Sequence, residues 1–126
     1  MTSTTPNVIR ASDIRERVET ADGRFKLGIA IDEASHGSLL WFGFGRIKPG
    51  AESVSWETST ETHEAYYVGA GTLKIGWSGP NVGDSLVCAG DCFYFAPNHR
   101  YTLENVGDDE AFFVYGWTPA PSGSTS

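Results

Sequence analysis

Cysteine, histidine and basic residues are all scarce in this chain, and each shortage removes a class of function. Two cysteines, Cys88 and Cys92, among 126 residues are too few for a disulfide scaffold or a zinc cage. They flank the Ala89-Gly90-Asp91 turn and are expected to be reduced, partly buried thiols. Nine Lys and Arg stand against 16 Asp and Glu, a net charge of −7, and basic residues nowhere cluster beyond pairs. A phosphate backbone needs a positive footprint, so nucleic acid is not an expected partner. No apolar run approaches the roughly 20 residues that cross a bilayer, and no membrane partner is expected either. The first ten residues are polar and carry no apolar signal core, which reads as a cytoplasmic protein. Three histidines, His36, His63 and His99, leave little from which to build a metal site.

What is present belongs to an ordered, strand-rich domain. Hydrophobic residues make up 40% of the chain and charged residues 20%, the balance of a globular protein. Fifteen glycines together with four Trp, five Tyr and seven Phe suggest short strands joined by tight turns. The one helical pattern is 11–19, where Ser12 can cap the N-terminus beside acidic residues. From Arg24 the pattern changes to strands. Phe25, Leu27, Ile29 and Ile31 alternate with Lys26, Gly28, Ala30 and Asp32, a half-buried strand. Further strands are expected over 38–48, 54–58, 65–68, 72–77, 85–88, 92–95, 101–105 and 111–117. Turn residues separate them at Ser78-Gly79-Pro80-Asn81, Pro97-Asn98 and Gly107-Asp108-Asp109. Short strands at this spacing predict a sandwich or barrel. The ends, 1–10 and 119–126, are rich in Ser, Thr, Pro and Gly and are expected to be flexible, leaving one domain over 11–118.

Two segments carry a more specific signal. The first runs from His63 to Leu73 and places Glu64 seven positions before Gly71, after a Lys48-Pro49-Gly50-Ala51 turn. The second runs from Ala89 to His99, with Gly90-Asp91 and Pro97, and closes at Asn105. This frame resembles the two motifs of the cupin family. The resemblance implies an all-β fold, a double-stranded β-helix or jelly-roll barrel, here preceded by a short N-terminal helix. It also implies a homodimer formed through an edge strand, for which the apolar Leu39–Phe44 segment is the candidate. A narrower resemblance, to the ethanolamine-utilisation Q-type cupins, rests on the run from Trp56 to Tyr67, the strand 71–75 and the ending Ala111-Phe112-Phe113-Val114-Tyr115.

The cupin frame is kept but its metal ligands are not. Counting from Gly50, the family's paired histidines fall at Trp56 and Thr58; counting from Glu64, they fall at Thr58 and Thr60, or at Glu57 and Ser59. The third falls at Tyr101, and only Glu64 stands in register. His63 alternates to the opposite strand face from Glu64, and His99 lies in a turn. No metal and no other cofactor is therefore expected, although a strand bulge that turned His63 inward beside Glu64 and His99 is a competing arrangement.

Normal alternation instead directs Trp56, Thr58, Glu64, Tyr66 and Val68 inward, with Tyr101 facing them. Such a cavity holds one carboxylate and two phenols. Burial raises a carboxyl pKa and suits it to acid–base work, and a tyrosine hydroxyl can donate a proton or stabilise an oxyanion. The expected enzyme is a metal-independent lyase, isomerase or cyclase acting on a small oxygenated substrate. Glu64, Tyr66, Tyr101 and His63 are its candidate catalytic residues. Trp56, Thr58, His99, Arg46 and Lys26 are its candidate substrate contacts. Each has an ordinary structural reading too: Trp56 and Tyr66 as core, Glu64 as a satisfied buried carboxyl, His63 as an exposed strand residue, His99 as part of a polar turn, and Lys26 and Arg46 on solvated strand faces. A non-catalytic binding or accessory protein and a metal-dependent oxygenase or lyase remain the alternatives.

Overall fold

Strand residues of period two bury one face, and the buried positions of this chain follow that period almost throughout. The computed structural model describes residues 7–119. Its strands are β1 (Arg15–Val18), β2 (Phe25–Ile31), β3 (Trp41–Ile47), β4 (Val54–Glu57), β5 (His63–Ala70), β6 (Thr72–Ser78), β7 (Gly83–Cys88), β8 (Cys92–Phe95), β9 (Arg100–Asn105) and β10 (Ala111–Thr118). They form a six-stranded sheet in the order β1-β2-β3-β10-β5-β8 and a four-stranded sheet in the order β4-β9-β6-β7. Every pairing is antiparallel. The two sheets enclose one core of alternating residues, including Leu27, Ile47, Val68, Leu73, Leu103 and Phe113. This is the jelly-roll that the cupin resemblance implied, and it fits the sandwich or barrel expected from the strand spacing. Among the described residues no helix is long and apolar enough to cross a membrane.

Glycines on β3 make room for that core. A Cβ on Gly45 would lie 2.1 Å from the Phe113 ring, and one on Gly43 would lie 1.9 Å from the Gly28 carbonyl oxygen. Aromatic rings from β10 fill the space those side chains would take. Gly71 turns β5 into β6 at φ 86°, the left-handed region that glycine enters without strain. At that end, Asn105 ties the sheets together: its amide donates to the carbonyls of Ile47 (2.7 Å) and Asp109 (2.9 Å), and its oxygen accepts from Gly107 N–H.

Three expectations need correction. The helix over 11–19 shrinks to a single 3-10 turn at Ala11–Asp13, and Arg15–Val18 pairs with β2 instead. A helix so short is marginal in water, and its apolar stripe would have been only Ile14 and Val18, whereas the open edge of β2 offers a full ladder. A short helix does occur later, at Glu33–His36 (α1). Leu39–Phe44 is not an edge: β3 lies between β2 and β10, and the edges of its sheet are β1 and β8. Cys88 and Cys92 are free thiols but exposed, because the inward positions beside them belong to Val87 and Phe93. The loose termini expected at 1–10 and 119–126 fall, for 1–6 and 120–126, outside the described residues.

Candidate functional site

The site is built by register. On β5 the inward positions read Glu64, Tyr66, Val68, and the neighbouring β10 sets Trp117 opposite Glu64 and Tyr115 opposite Tyr66. On the far side, Phe95 of β8 pairs with Glu64. Tyr101 reaches across from β9 in the other sheet. All of these side chains are buried, Glu64 to 4% exposure and Tyr101 to 1%.

Three oxygens meet there. Tyr66 Oη donates to Glu64 Oε1 at 2.7 Å, Tyr101 Oη donates to the same Oε1, and the two phenols lie 2.7 Å apart. Trp117 Nε1 donates to Tyr66 Oη at 3.1 Å. With both phenolic hydrogens directed at Glu64, the contact between the phenols holds no hydrogen. A proton on the carboxyl frees one phenol to bridge the other, so the geometry favours protonated Glu64. The electrostatics agree: burial raises the Glu64 pKa above the usual carboxylate value, against the opposing effect of the Tyr101 and Tyr66 hydrogen bonds. Burial, with the charge of Glu64 among the further causes, holds both phenols well above the ordinary tyrosine range. Glu64 is therefore the group of the three whose proton is the most available.

Aromatic rings close around this cluster. Phe95 stacks on Tyr101 at 4.2 Å and Phe93 on Tyr66 at 4.5 Å. Trp56 is half-buried, its ring 5.4 Å from Tyr101 and 5.5 Å from Phe25, so it is a wall of the same chamber. On its outer side Phe95 lines a cavity of about 250 Å³ with Ile75, Trp77 and His99. A more polar cavity of about 380 Å³, lined by Glu57, Asn98, His99 and Arg100, adjoins it through His99. His99 Nδ1 lies 3.1 Å from the carbonyl oxygens of both Ala96 and Pro97, so Nδ1 carries the hydrogen and Nε2 is the free acceptor.

The other sequence candidates stand elsewhere. Thr58 is buried as a strap: its hydroxyl donates to the Ala96 carbonyl at 2.9 Å and accepts from His99 N–H at 2.8 Å, pinning the 58–62 loop to the 96–99 turn. His63 points out of the barrel, as alternation requires, and its Nδ1 meets Tyr94 Oη at 2.6 Å on the exposed surface. Arg46 lies outside as well, between the rings of Phe44 and Phe112 and 3.9 Å from Glu110. Lys26 pairs with Arg46 across β2 and β3 on that same outer face. None of these three outward residues can reach a substrate inside. Trp117 and Phe95 were missed from sequence; the odd-numbered alternation of 111–117 beside β5 was the available signal for Trp117.

A metal of the kind cupins hold requires about three converging protein ligands. Trp56, Thr58 and Tyr101 fill the family's ligand positions, His63 faces away, and the protonated Nδ1 of His99 is held by carbonyls. Among the described residues no three His, Cys, Asp or Glu side chains gather into a metal-binding group. The donor set does not fit a metal, and the competing His63–Glu64–His99 arrangement is not formed.

The amino-acid sequence matches no family model and no curated protein. Solved structures do match. A Thermotoga maritima protein described as a predicted oxalate decarboxylase shares 18% identity, with TM-score 0.71, over 90% of this chain and 99% of its own. The Drosophila melanogaster CENP-C cupin domain shares 15% identity, with TM-score 0.67, over 90% of this chain and 82% of its own. Lactobacillus farciminis oxalate decarboxylase, solved as a formate complex, shares 20% identity, with TM-score 0.69, over 87% of this chain and 32% of its own. Likeness at such low identity speaks to architecture alone, and on that ground the chain has the cupin fold.

Proposed function

We propose that this chain is a small enzyme of metal-independent acid–base chemistry, a lyase, isomerase or cyclase, with Glu64 as its proton-transferring group. The observation that supports this reading is a single buried carboxyl of raised pKa sharing one oxygen with two phenols. In its protonated form this carboxyl would begin the cycle as the acid. It gives its proton to the substrate, then takes one back from another position as base, so the enzyme is restored without a cofactor. Tyr101 and Tyr66, whose own protons are held tightly, would donate hydrogen bonds to an oxyanion on the substrate without losing those protons. The cavity behind Phe95 suits a small substrate with an apolar body and an oxygen donor facing His99 Nε2. Rotation of the Phe95 ring off Tyr101 would join that cavity to the carboxyl.

The test is hydrogen exchange into a panel of small 2-oxo acids, 2-hydroxy acids and ketones in deuterium oxide, followed by proton NMR. The wild-type chain is expected to label at least one of them, and Glu64→Gln to lose at least about a hundredfold in rate. Labelling unchanged by Glu64→Gln, or a Glu64 carboxyl titrating in the ordinary range by carbon-detected NMR, would overturn the proposal.

One observation favours a second reading, a non-catalytic binding or accessory protein. The rings of Phe93, Phe95 and Trp117 pack against the cluster so closely that Tyr66 retains 4% exposure. On that reading the three oxygens are a polar joint that fixes strand register. Glu64→Gln would then weaken the fold, while ligand binding would proceed with no turnover to lose.

A further inference from the structure

The outward face of the six-stranded sheet runs against the charge of the whole. In a chain that carries −7, the outward positions of β2, β3, β10, β5 and β8 hold Lys26 and Arg46 and no acidic residue. Glu16, on the edge strand β1, and Glu110, just before β10, stand at its margins. Beside the two cations the face is aromatic. Phe42, Tyr67 and Tyr94 are 39%, 49% and 57% exposed, and among them lies an open cavity of about 630 Å³ floored by Ala65 and Gly116.

We propose that this face docks an amphipathic helix of a partner protein, one that carries an acidic side chain two turns away from a large apolar one. Shape is the first argument. Along one cross-strand row Phe42 stands on β3 and Tyr94 on β8, with Gly116 and Ala65 between them. Three strand spacings set the two walls about 14 Å apart, room for a helix about 10–12 Å wide. A helix laid on a sheet is also a standard way to cover an apolar sheet face. Charge is the second argument. Arg46 lies four residues along β3 from Phe42, about 13 Å at the rise of a strand, and Lys26 pairs with it. The Arg46 guanidinium rests 5.3 Å from the Phe44 ring and 5.0 Å from the Phe112 ring, which holds it in place and leaves its N–H edge for a carboxylate. Its contact with Glu110, at 3.9 Å on the surface, is a weak competitor. Two helical turns span about 11 Å, and the long side chains cover the remainder. Tyr67 and Val114 lie between the two anchor points and meet the intervening apolar residues. A bilayer fits less well: the small floor is recessed between the rings, and two cations offset little of −7 at an anionic surface.

NMR titration of the nitrogen-labelled whole chain tests it, with a stapled alanine–glutamine helix bearing a glutamate two turns before a tryptophan as the probe. The amide signals of Ala65, Gly116 and Tyr94 are expected to shift together. Ala65→Arg fills the floor from an exposed position and should weaken binding at least about tenfold. Arg46→Gln should weaken it by a similar factor. Exchanging the probe's glutamate for glutamine should cost as much with the wild type and nothing further with Arg46→Gln, since both remove one contact. Leu86→Lys, on the outward side of the four-stranded sheet and 65% exposed, should leave the affinity unchanged. No shift at millimolar probe, shifts confined to other surfaces, or equal binding of a probe with lysine in place of glutamate overturns the proposal. So does a second copy of the chain that covers this face in sedimentation equilibrium and is not displaced by the probe. Flotation with phosphatidylserine vesicles that Ala65→Arg abolishes, without binding of the probe, would assign the face to a lipid surface instead and overturn it too.

Discussion

Along β5, β9 and β10 the inward side chains change character within a few positions, and all three strands change in step. Glu64 and Tyr66 give way to Val68, Tyr101 gives way to Leu103, and Trp117 and Tyr115 give way to Phe113 and Ala111. Antiparallel register stacks like with like, so the interior has a carboxyl-bearing aromatic end and an aliphatic end. The contrast shows how a small domain can tolerate a buried titratable group. A desolvated carboxyl and its partners add little net stability, whereas Leu73, Leu103 and Val68, each fully buried, supply hydrophobic burial at about 25 cal/mol per Å². One end holds the fold together and the other is free to hold a proton.

Substitutions within β9 measure that contrast most sharply. Leu103→Ala at the aliphatic end should cost about 2–5 kcal/mol in urea unfolding, because a fully buried side chain leaves a cavity behind. Tyr101→Phe, two residues away, keeps its ring and removes one hydroxyl from the oxygen cluster; it should cost about 1–3 kcal/mol. Equal costs would mean that the two ends are not energetically distinct.

A smaller effect comes from pH. The folded-state pKa of Glu64 is raised, so over the window between the unfolded and the folded value the folded chain binds the proton more tightly than the unfolded chain. The contribution of Glu64 is therefore fully present below the unfolded value and is lost as pH rises through the folded one. Relative to Glu64→Gln, the wild type should lose stability with rising pH at up to about 1.4 kcal/mol per pH unit in that window. A wild-type curve that runs parallel to the variant across the acid range would remove the raised pKa.

The smallest effect belongs to the histidine next in sequence to the carboxyl. His63→Ala removes an exposed ring hydrogen-bonded to Tyr94, and should change stability by less than about 0.5 kcal/mol and leave deuterium labelling intact. A loss of labelling comparable with that of Glu64→Gln would place the site on the outer face and dissolve the distinction between His63 and Glu64.

Much of this architecture can be read from the order of residues, for reasons that are local. Period-two alternation marked β2, turn residues marked the hairpins, and the family frame marked Gly71, where a Cβ would lie 2.8 Å from Ala111. The inward direction of Glu64 and Tyr66 and the outward direction of His63 also follow from alternation on one strand. Other properties depend on partners distant in sequence. Whether 15–18 coils or extends was decided by the open edge of β2, since strand pairing there outweighed a weak helical preference. Whether Arg46 and Lys26 faced substrate or solvent depended on which side of β3 the second sheet covered. The meeting of Glu64, Tyr66 and Tyr101 at one oxygen joins residues 37 positions apart across two sheets. A pattern of period two names the face on which a side chain stands; only the packing of one sheet on the other sets what that face meets, because those contacts form between strands that are not neighbours in the chain.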